Sequence, residues 1–328
     1  MFKKIQSVLC IICTIVFLFT ACSNGEQQNI SKEPAAQDGQ VALTVTSEID
    51  EKEYTMDFQQ APKRAVSLSG FTTEMMLALG LENQMVGTAF ADNEILPEYK
   101  AAYESIPILS EQNPSREILL GTSADFITGW SSSFSETNFP PEFLQENHIS
   151  FFVPRSEYPG ADMNAVYEDF TLLGKIFHVE KKADTVIADM KEKIGTINGK
   201  VKDTKPVSVF LYDSGEDAPY TAGSSLPSDL IRLAGGKNIF ADQEKRWLTV
   251  QWETVIKKNP QWIVVMQYNN SDDVQGKIDF LKNTPALKDI DAVKNNRILV
   301  LGLSDVIAGV RNINAVETMA EKFHPEAF

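Results

Sequence analysis

The chain has 328 residues, a formal net charge of −15 and 43% hydrophobic residues. That length allows two ordinary domains with separate cores. A surface this acidic argues against nucleic acid and against electrostatic binding to anionic lipid, but leaves the charge of a small-molecule ligand open, because a cleft can differ locally from the whole.

Lys3 and Lys4 precede an apolar run from Val8 to Phe19, then Thr20-Ala21-Cys22 and a polar stretch. The run is too short to span a bilayer and has the charged start, apolar middle and small-residue ending of a secretory signal. Its end resembles a lipobox, with Phe19 where Leu is usual. Residues 1–21 then form a lipoprotein signal peptide, and Cys22 carries the lipid that holds the chain on the outer face of the cell membrane. An ordinary signal anchor with a chance cysteine is the alternative. Cys10 and Cys13 leave with the leader, so no internal disulfide and no thiolate metal site is expected. Residues 22–40, rich in Gln, Asn, Ser, Glu, Ala and Pro, read as a flexible tether.

Val41–Thr46 and Tyr54–Phe58 read as a hairpin around an acidic turn, and Arg64–Ser69 as the first buried strand. Gly70 opens a loop into a helix from about Thr73 to Leu79, closed by Gly80. Strands at Met85–Thr88, Asp125–Thr128 and Ser150–Val153 then alternate with helices around Arg116–Leu120 and Pro141–Asn147. This rhythm predicts βαβ units and mostly parallel sheet. Asp162–Phe177 is helical, and a second helix runs from about Lys181 to Val201 with Ala183, Val186, Ile187, Met190 and Ile194 at helical spacing. After Pro206 the alternation restarts, with strands at Val207–Tyr212, Trp262–Met266 and Ile298–Leu301. Helices are expected around Pro227–Ala234, Trp252–Lys258 and Asn312–Phe323. The expected fold is α/β: two Rossmann-like lobes, 41–179 and 204–328, joined by a single long helix, 180–203, with a ligand cleft between them.

One pattern occurs twice. The stretch from Glu117 through Ala124-Asp125-Phe126-Ile127 is echoed from Glu253 through Asn259-Pro260-Gln261-Trp262-Ile263, an offset suited to two similar lobes rather than to a solenoid. Each glutamate begins a short helix, where the dipole favours a carboxylate by ~0.3–1 kcal/mol. That could account for either one alone, but not for both at matched positions.

Ligands of open parallel sheets bind beyond the carboxyl ends of the strands. The candidates there are Ser69, Phe71, Phe90, Trp130, Phe134, Arg155 and Tyr158 in the first lobe. The second offers Tyr212, Tyr220, Trp247, Tyr268 and Arg311. Several aromatics with two arginines suit a bulky, partly anionic or multiply hydrogen-bonding molecule, although any single aromatic could equally be core filler.

Arg64-Ala65-Val66-Ser67-Leu68-Ser69 followed by Thr73-Glu74, Ala124-Asp125-Phe126-Ile127, Gly235-Gly236-Lys237-Asn238-Ile239-Phe240 and Trp247-Leu248-Thr249-Val250-Gln251-Trp252-Glu253 together carry a resemblance. The chain resembles the class III, helical-backbone solute-binding lipoproteins of ABC importers, which take up ferric siderophores, heme or cobalamin. The proline common after the first Ser is replaced by Gly70. The resemblance implies nearly rigid lobes and one surface glutamate per lobe, here Glu117 and Glu253, docking on a permease dimer served by cytoplasmic ATPase subunits. It also implies a small-molecule iron chelate as ligand, no resident cofactor and no catalysis.

Within that reading a ferric siderophore is expected, hydroxamate before catecholate, because two cleft arginines are few for a highly anionic catecholate. Heme would need an axial His or Tyr, and His148, His178 and His324 are not well placed; cobalamin is the other rival. No His/Asp/Glu cluster predicts a bare metal site. An exported α/β enzyme is the distant alternative, lacking any Gly-x-Gly-x-x-Gly, Walker or Gly-x-Ser-x-Gly motif, and a signalling or adhesive lipoprotein is a third.

Overall fold

The computed structural model describes residues 43–268 and 274–328. The leader, Cys22 and the tether lie outside the described residues. The chain first forms a hairpin, β1 (Leu43–Ile49) and β2 (Lys52–Phe58), paired antiparallel with Ile49 opposite Lys52. The two loop residues, Asp50 and Glu51, both have positive φ, as a type I′ turn requires. The hairpin docks on the first lobe, where the Val153 amide donates to Ser47 Oγ (3.0 Å).

The first lobe is built from β3 (Ala65–Leu68), α1 (Gly70–Ala78), β4 (Met85–Ala89), α2 (Lys100–Glu104), β5 (Ile108–Ser110), α3 (Arg116–Gly121), β6 (Phe126–Gly129), α4 (Pro141–Glu146), β7 (Ser150–Phe152) and α5 (Met163–Ile176). Its five strands form one parallel sheet in the order β5-β4-β3-β6-β7. β3 and β6 are buried throughout, as expected of strands covered on both faces. α1 begins directly after its strand rather than at Thr73, because Ser69 caps it: Ser69 Oγ accepts from the Thr72 amide (3.3 Å). At its other end Gly80 takes φ +75°, and the Gly80 and Leu81 amides donate back to Leu77 and Met76, a Schellman closure that needs the left-handed backbone glycine tolerates.

α6 (Glu180–Val201) follows, 22 residues and about 33 Å long at ~1.5 Å per residue. It buries Ala183, Ile187, Met190, Ile194, Ile197 and Val201, one stripe at helical spacing. Both parallel sheets lie wholly on their own side of α6 in the chain.

The second lobe comprises β8 (Val207–Tyr212), β9 (Tyr220–Ala222), α7 (Leu226–Leu233), β10 (Gly236–Asn238), β11 (Trp247–Thr249), α8 (Trp252–Lys258), β12 (Trp262–Gln267), α9 (Val274–Asn283), α10 (Asp291–Lys294), β13 (Ile298–Gly302), α11 (Leu303–Val306) and α12 (Asn312–Phe323). Its parallel sheet has the order β10-β8-β12-β13, and β9 and β11 form a separate antiparallel ribbon. β5, β9, β10 and β11 were not expected from the sequence. Each has only three residues, too few to show an alternation.

Several contacts tie the lobes together. Arg311 binds both Glu74 oxygens (2.6 and 2.7 Å). Arg246 pairs with Glu157 (2.7 Å), and Asn93 bridges the Gln267 carbonyl (3.3 Å) and the Ser304 amide (2.8 Å).

Candidate binding cleft

Each parallel sheet reverses its strand order at one point, between β3 and β6 in the first lobe and between β8 and β12 in the second. Loops leaving such neighbours diverge and open a crevice beyond the strand ends. Residues from both crevices line one cavity of about 580 Å³, within the usual range of ~300–1,000 Å³ for small-molecule sites.

Phe90, Ala91 and Asp92 enter it from the end of β4, Ser110, Glu111 and Gln112 from β5, and Trp130 and Ser132 from β6. Asp213 follows β8 and Tyr268 follows β12, while Tyr220 and Trp247 project from the β9–β11 ribbon with their rings stacked 5.8 Å apart. Tyr103, Ile108, Leu303 and Ile307 complete the apolar wall. Phe90 holds a left-handed backbone (φ 54°), unusual for an aromatic residue.

The charged groups of the described lining are all acidic: Asp92, Glu111 and Asp213. Asp92 is 7% exposed and accepts from Trp130 Nε1 (2.9 Å) and from the Gly70 amide (3.0 Å). Burial pushes its carboxyl up to about 6, against the lowering effect of those two donors. Asp213, 3% exposed, accepts from the Tyr268 hydroxyl and from Ser214 Oγ (2.9 Å). Lys277 lies with its ammonium 5.1 Å from the Tyr268 ring centre and donates to the Met266 carbonyl (2.8 Å).

The structure therefore gathers Phe90, Trp130, Tyr220, Trp247 and Tyr268 of the sequence-derived candidates around one cavity. It places the others elsewhere. Ser69 is the buried cap of α1, and Phe71 lies beneath Trp130, edge-on at 4.8 Å. Phe134 packs on Phe151 in the core (5.4 Å). Tyr158 turns its hydroxyl to the Glu48 amide of the hairpin (2.6 Å), and Arg155 pairs with Glu168 (2.9 Å). Tyr212 shares strand parity with Phe210 and so points into the second lobe's core beside Trp252, which leaves the next residue, Asp213, for the cavity. Arg311 is occupied by Glu74. The premise of two cleft arginines thus fails: neither Arg155 nor Arg311 lines the cavity.

Sequence reading left Asp92 and Asp213 off the candidates, although Asp213 directly follows β8 and Asp92 stands three residues beyond β4. It also missed the Ser110–Gln112 segment, because β5 itself was not seen. Glu117 and Glu253 sit on exposed first turns of α3 and α8. The Glu117 backbone N–H and Ser115 Oγ hold its carboxyl below the usual range. Among the described residues no group of three His, Cys, Asp or Glu side chains could hold a metal ion, and no helix is long and apolar enough to cross a membrane.

A profile of the periplasmic binding protein family matches residues 66–303. The crystal structure of a periplasmic binding protein from Veillonella parvula shares 36% sequence identity and a TM-score of 0.83, covering 87% of this chain and 98% of that one. YvrC of Bacillus subtilis, an uncharacterized ABC transporter substrate-binding lipoprotein by name, is 25% identical over 99% of both chains. A vitamin B12-binding protein of Yersinia pestis is 26% identical over 207 residues, 63% of this chain and 70% of that one. With two parallel sheets, a cavity between their switch points and a profile match over most of the folded body, the chain belongs to the periplasmic binding protein family and is a substrate-binding protein, not an enzyme.

Proposed function

We propose that this chain is the extracytoplasmic binding component of an ABC importer and captures a bulky metal chelate that carries no net negative charge. The observation that supports this is the lining: six aromatic side chains, three carboxylates and, among the described residues, no Arg, Lys or His. In a poorly solvated cleft such a set repels anions, so a ferric catecholate or the carboxylates of heme are disfavoured.

Two chelate classes remain. A corrinoid offers broad apolar faces and edges to Phe90, Trp130, Tyr220, Trp247 and Tyr268, with peripheral amides for Ser110, Glu111 and Gln112 at the β5 side. A ferric hydroxamate, the preference drawn from the sequence, surrounds its iron with electron-rich oxygens that need cationic or N–H donors. Gln112, the Tyr220 hydroxyl and the Trp247 indole, all in the lining, supply donors of this kind, so the hydroxamate stands as the second reading. Delivery falls to Glu117 and Glu253, exposed at matching places on the two lobes and suited to a permease dimer with ATPase subunits. Attachment through lipidated Cys22 accords with the lipoprotein naming of YvrC.

Titration of the intrinsic Trp fluorescence with cyanocobalamin, a ferric hydroxamate, a ferric catecholate and hemin tests the reading. Saturable quenching is expected with cyanocobalamin, or with the hydroxamate under the second reading. Tight binding of the catecholate or hemin with no response to the other two would overturn it.

A further inference from the structure

The two switch points carry the same arrangement in different residues. In the first lobe, Asp92 joins the amide that follows β3 (Gly70) to the indole that follows β6 (Trp130), at 3.0 and 2.9 Å. In the second, Asp213 follows β8 and accepts the hydroxyl of Tyr268, which follows β12. Each carboxylate is almost fully buried and bridges the two strands that part at the crevice.

We infer that Asp92 and Asp213 are positioning residues of the cavity: each takes the polar hydrogen of one aromatic, Trp130 or Tyr268, so that the ring and not its polar tip is offered to the ligand. An indole has one N–H and a phenol one O–H, so these bonds use the donor each ring has. Charge-assisted bonds of this kind are about twice as strong as neutral ones and fix orientation as well as energy. Such preorganisation removes part of the ordering cost that binding would otherwise incur. The selected ligand class follows: a molecule recognised through broad apolar or π surface rather than through donors on Trp130 and Tyr268. The inference rests on the proposed binding function and narrows it.

Local geometry shows why Gly70 stands where it does. A Cβ at position 70 would meet the Asp92 amide nitrogen at 3.0 Å and its carboxylate at 3.3 Å. A proline there would have no N–H to donate. The Gly70 amide is also shared with the Phe90 carbonyl (3.1 Å), so the contact fixes the loop that carries both Phe90 and Asp92.

The test uses the full chain with Asp92→Ala, Asp92→Asn, Trp130→Phe and the double variant Asp92→Ala/Trp130→Phe. Two readouts are taken: affinity for whichever of the four chelates binds, and the NMR signal of the Trp130 indole N–H with its solvent-exchange rate. Asp92→Ala is expected to weaken binding roughly tenfold or more and to release the indole N–H to fast exchange. Asp92→Asn, which keeps an acceptor, should restore most of the affinity. Once Trp130→Phe has removed the N–H, Asp92→Ala should cost little more.

Wild-type affinity in Asp92→Ala with the indole still protected would overturn the inference while leaving the binding function intact. So would equal losses from Asp92→Ala with and without Trp130, since Asp92 would then act on the ligand or the fold directly. If none of the four chelates binds the unsubstituted chain, the proposed function falls and this inference with it.

Discussion

Arg311→Ala should be among the more damaging single substitutions outside the hydrophobic core. Arg311 sits between the last two helices and forks onto Glu74 in α1, a residue 237 positions away in sequence. The two side chains are 11% and 3% exposed, and Asp305 lies 3.7 Å from the guanidinium. Truncation leaves Glu74 buried, with the Leu96 amide (2.8 Å) as its remaining donor. Removing one partner of a buried pair costs ~3–5 kcal/mol, chiefly because the other charge is stranded. A body of roughly 290 residues has an unfolding entropy of ~0.6 kcal/mol/K, so the expected drop in Tm is about 5–8 °C. The double change Glu74→Gln/Arg311→Met, which removes both charges and keeps the bulk, should recover much of that loss. Calorimetry of the three proteins at constant pH decides it. A loss under about 1 kcal/mol in Arg311→Ala, or a double variant as unstable as the single one, refutes the reasoning.

Other outcomes are equally open to measurement. Glu117→Lys/Glu253→Lys should abolish transport and permease binding in reconstituted membranes with chelate affinity unchanged; normal transport would remove both residues from docking. Trp247→Ala is expected to weaken chelate binding by roughly tenfold, since it removes a stacked wall of the cavity, whereas Tyr158→Phe, at the hairpin contact, should leave affinity as it is; the reverse ranking in titration calorimetry would contradict the cavity assignment. Asp169 accepts from the Arg155 and Ser156 amides and from Ser156 Oγ, and burial raises its carboxyl from 3.8 to about 7. The folded state thus holds this proton more tightly than the unfolded chain, and the site's stability contribution is greatest at low pH and falls as pH rises from about 4 to about 7. Relative to Asp169→Asn, which does not titrate, the parent should lose stability across that window in thermal melts; a difference that stays flat would show that Asp169 does not titrate there.

Much of the architecture was written locally. The alternation of apolar runs with capped, amphipathic segments placed the central strands and the long helix to within a residue or two, because those signals depend on neighbours in sequence. Four of the three-residue strands, β5, β9, β10 and β11, escaped because their pairing partners, not their own composition, make them strands; β7, equally short, was legible from its apolar Phe151-Phe152-Val153 run. Tyr220 and Trp247, for example, become a stacked wall only through the β9–β11 pairing.

The cavity was half legible for a related reason. Placing aromatics at strand ends identified Phe90, Trp130 and Tyr268, since a parallel sheet delivers whatever follows its strands to one edge, whereas Tyr220 and Trp247 reach the cavity through the antiparallel ribbon. Which way each side chain then turns is set by strand parity and by distant partners. Tyr212 faces the core because it shares parity with Phe210, and Asp213, its neighbour, faces the cavity.

By itself the sequence determined the two-lobed α/β plan, the joining helix and the matched glutamates at 117 and 253. Only the tertiary structure decided the electrostatic character of the cleft. An arginine near a strand end carries no mark of whether it will meet a ligand or a carboxylate from the other lobe. Glu74 and Glu168 take Arg311 and Arg155 out of play, and a cleft expected to be aromatic with two arginines is, among the described residues, aromatic with three carboxylates.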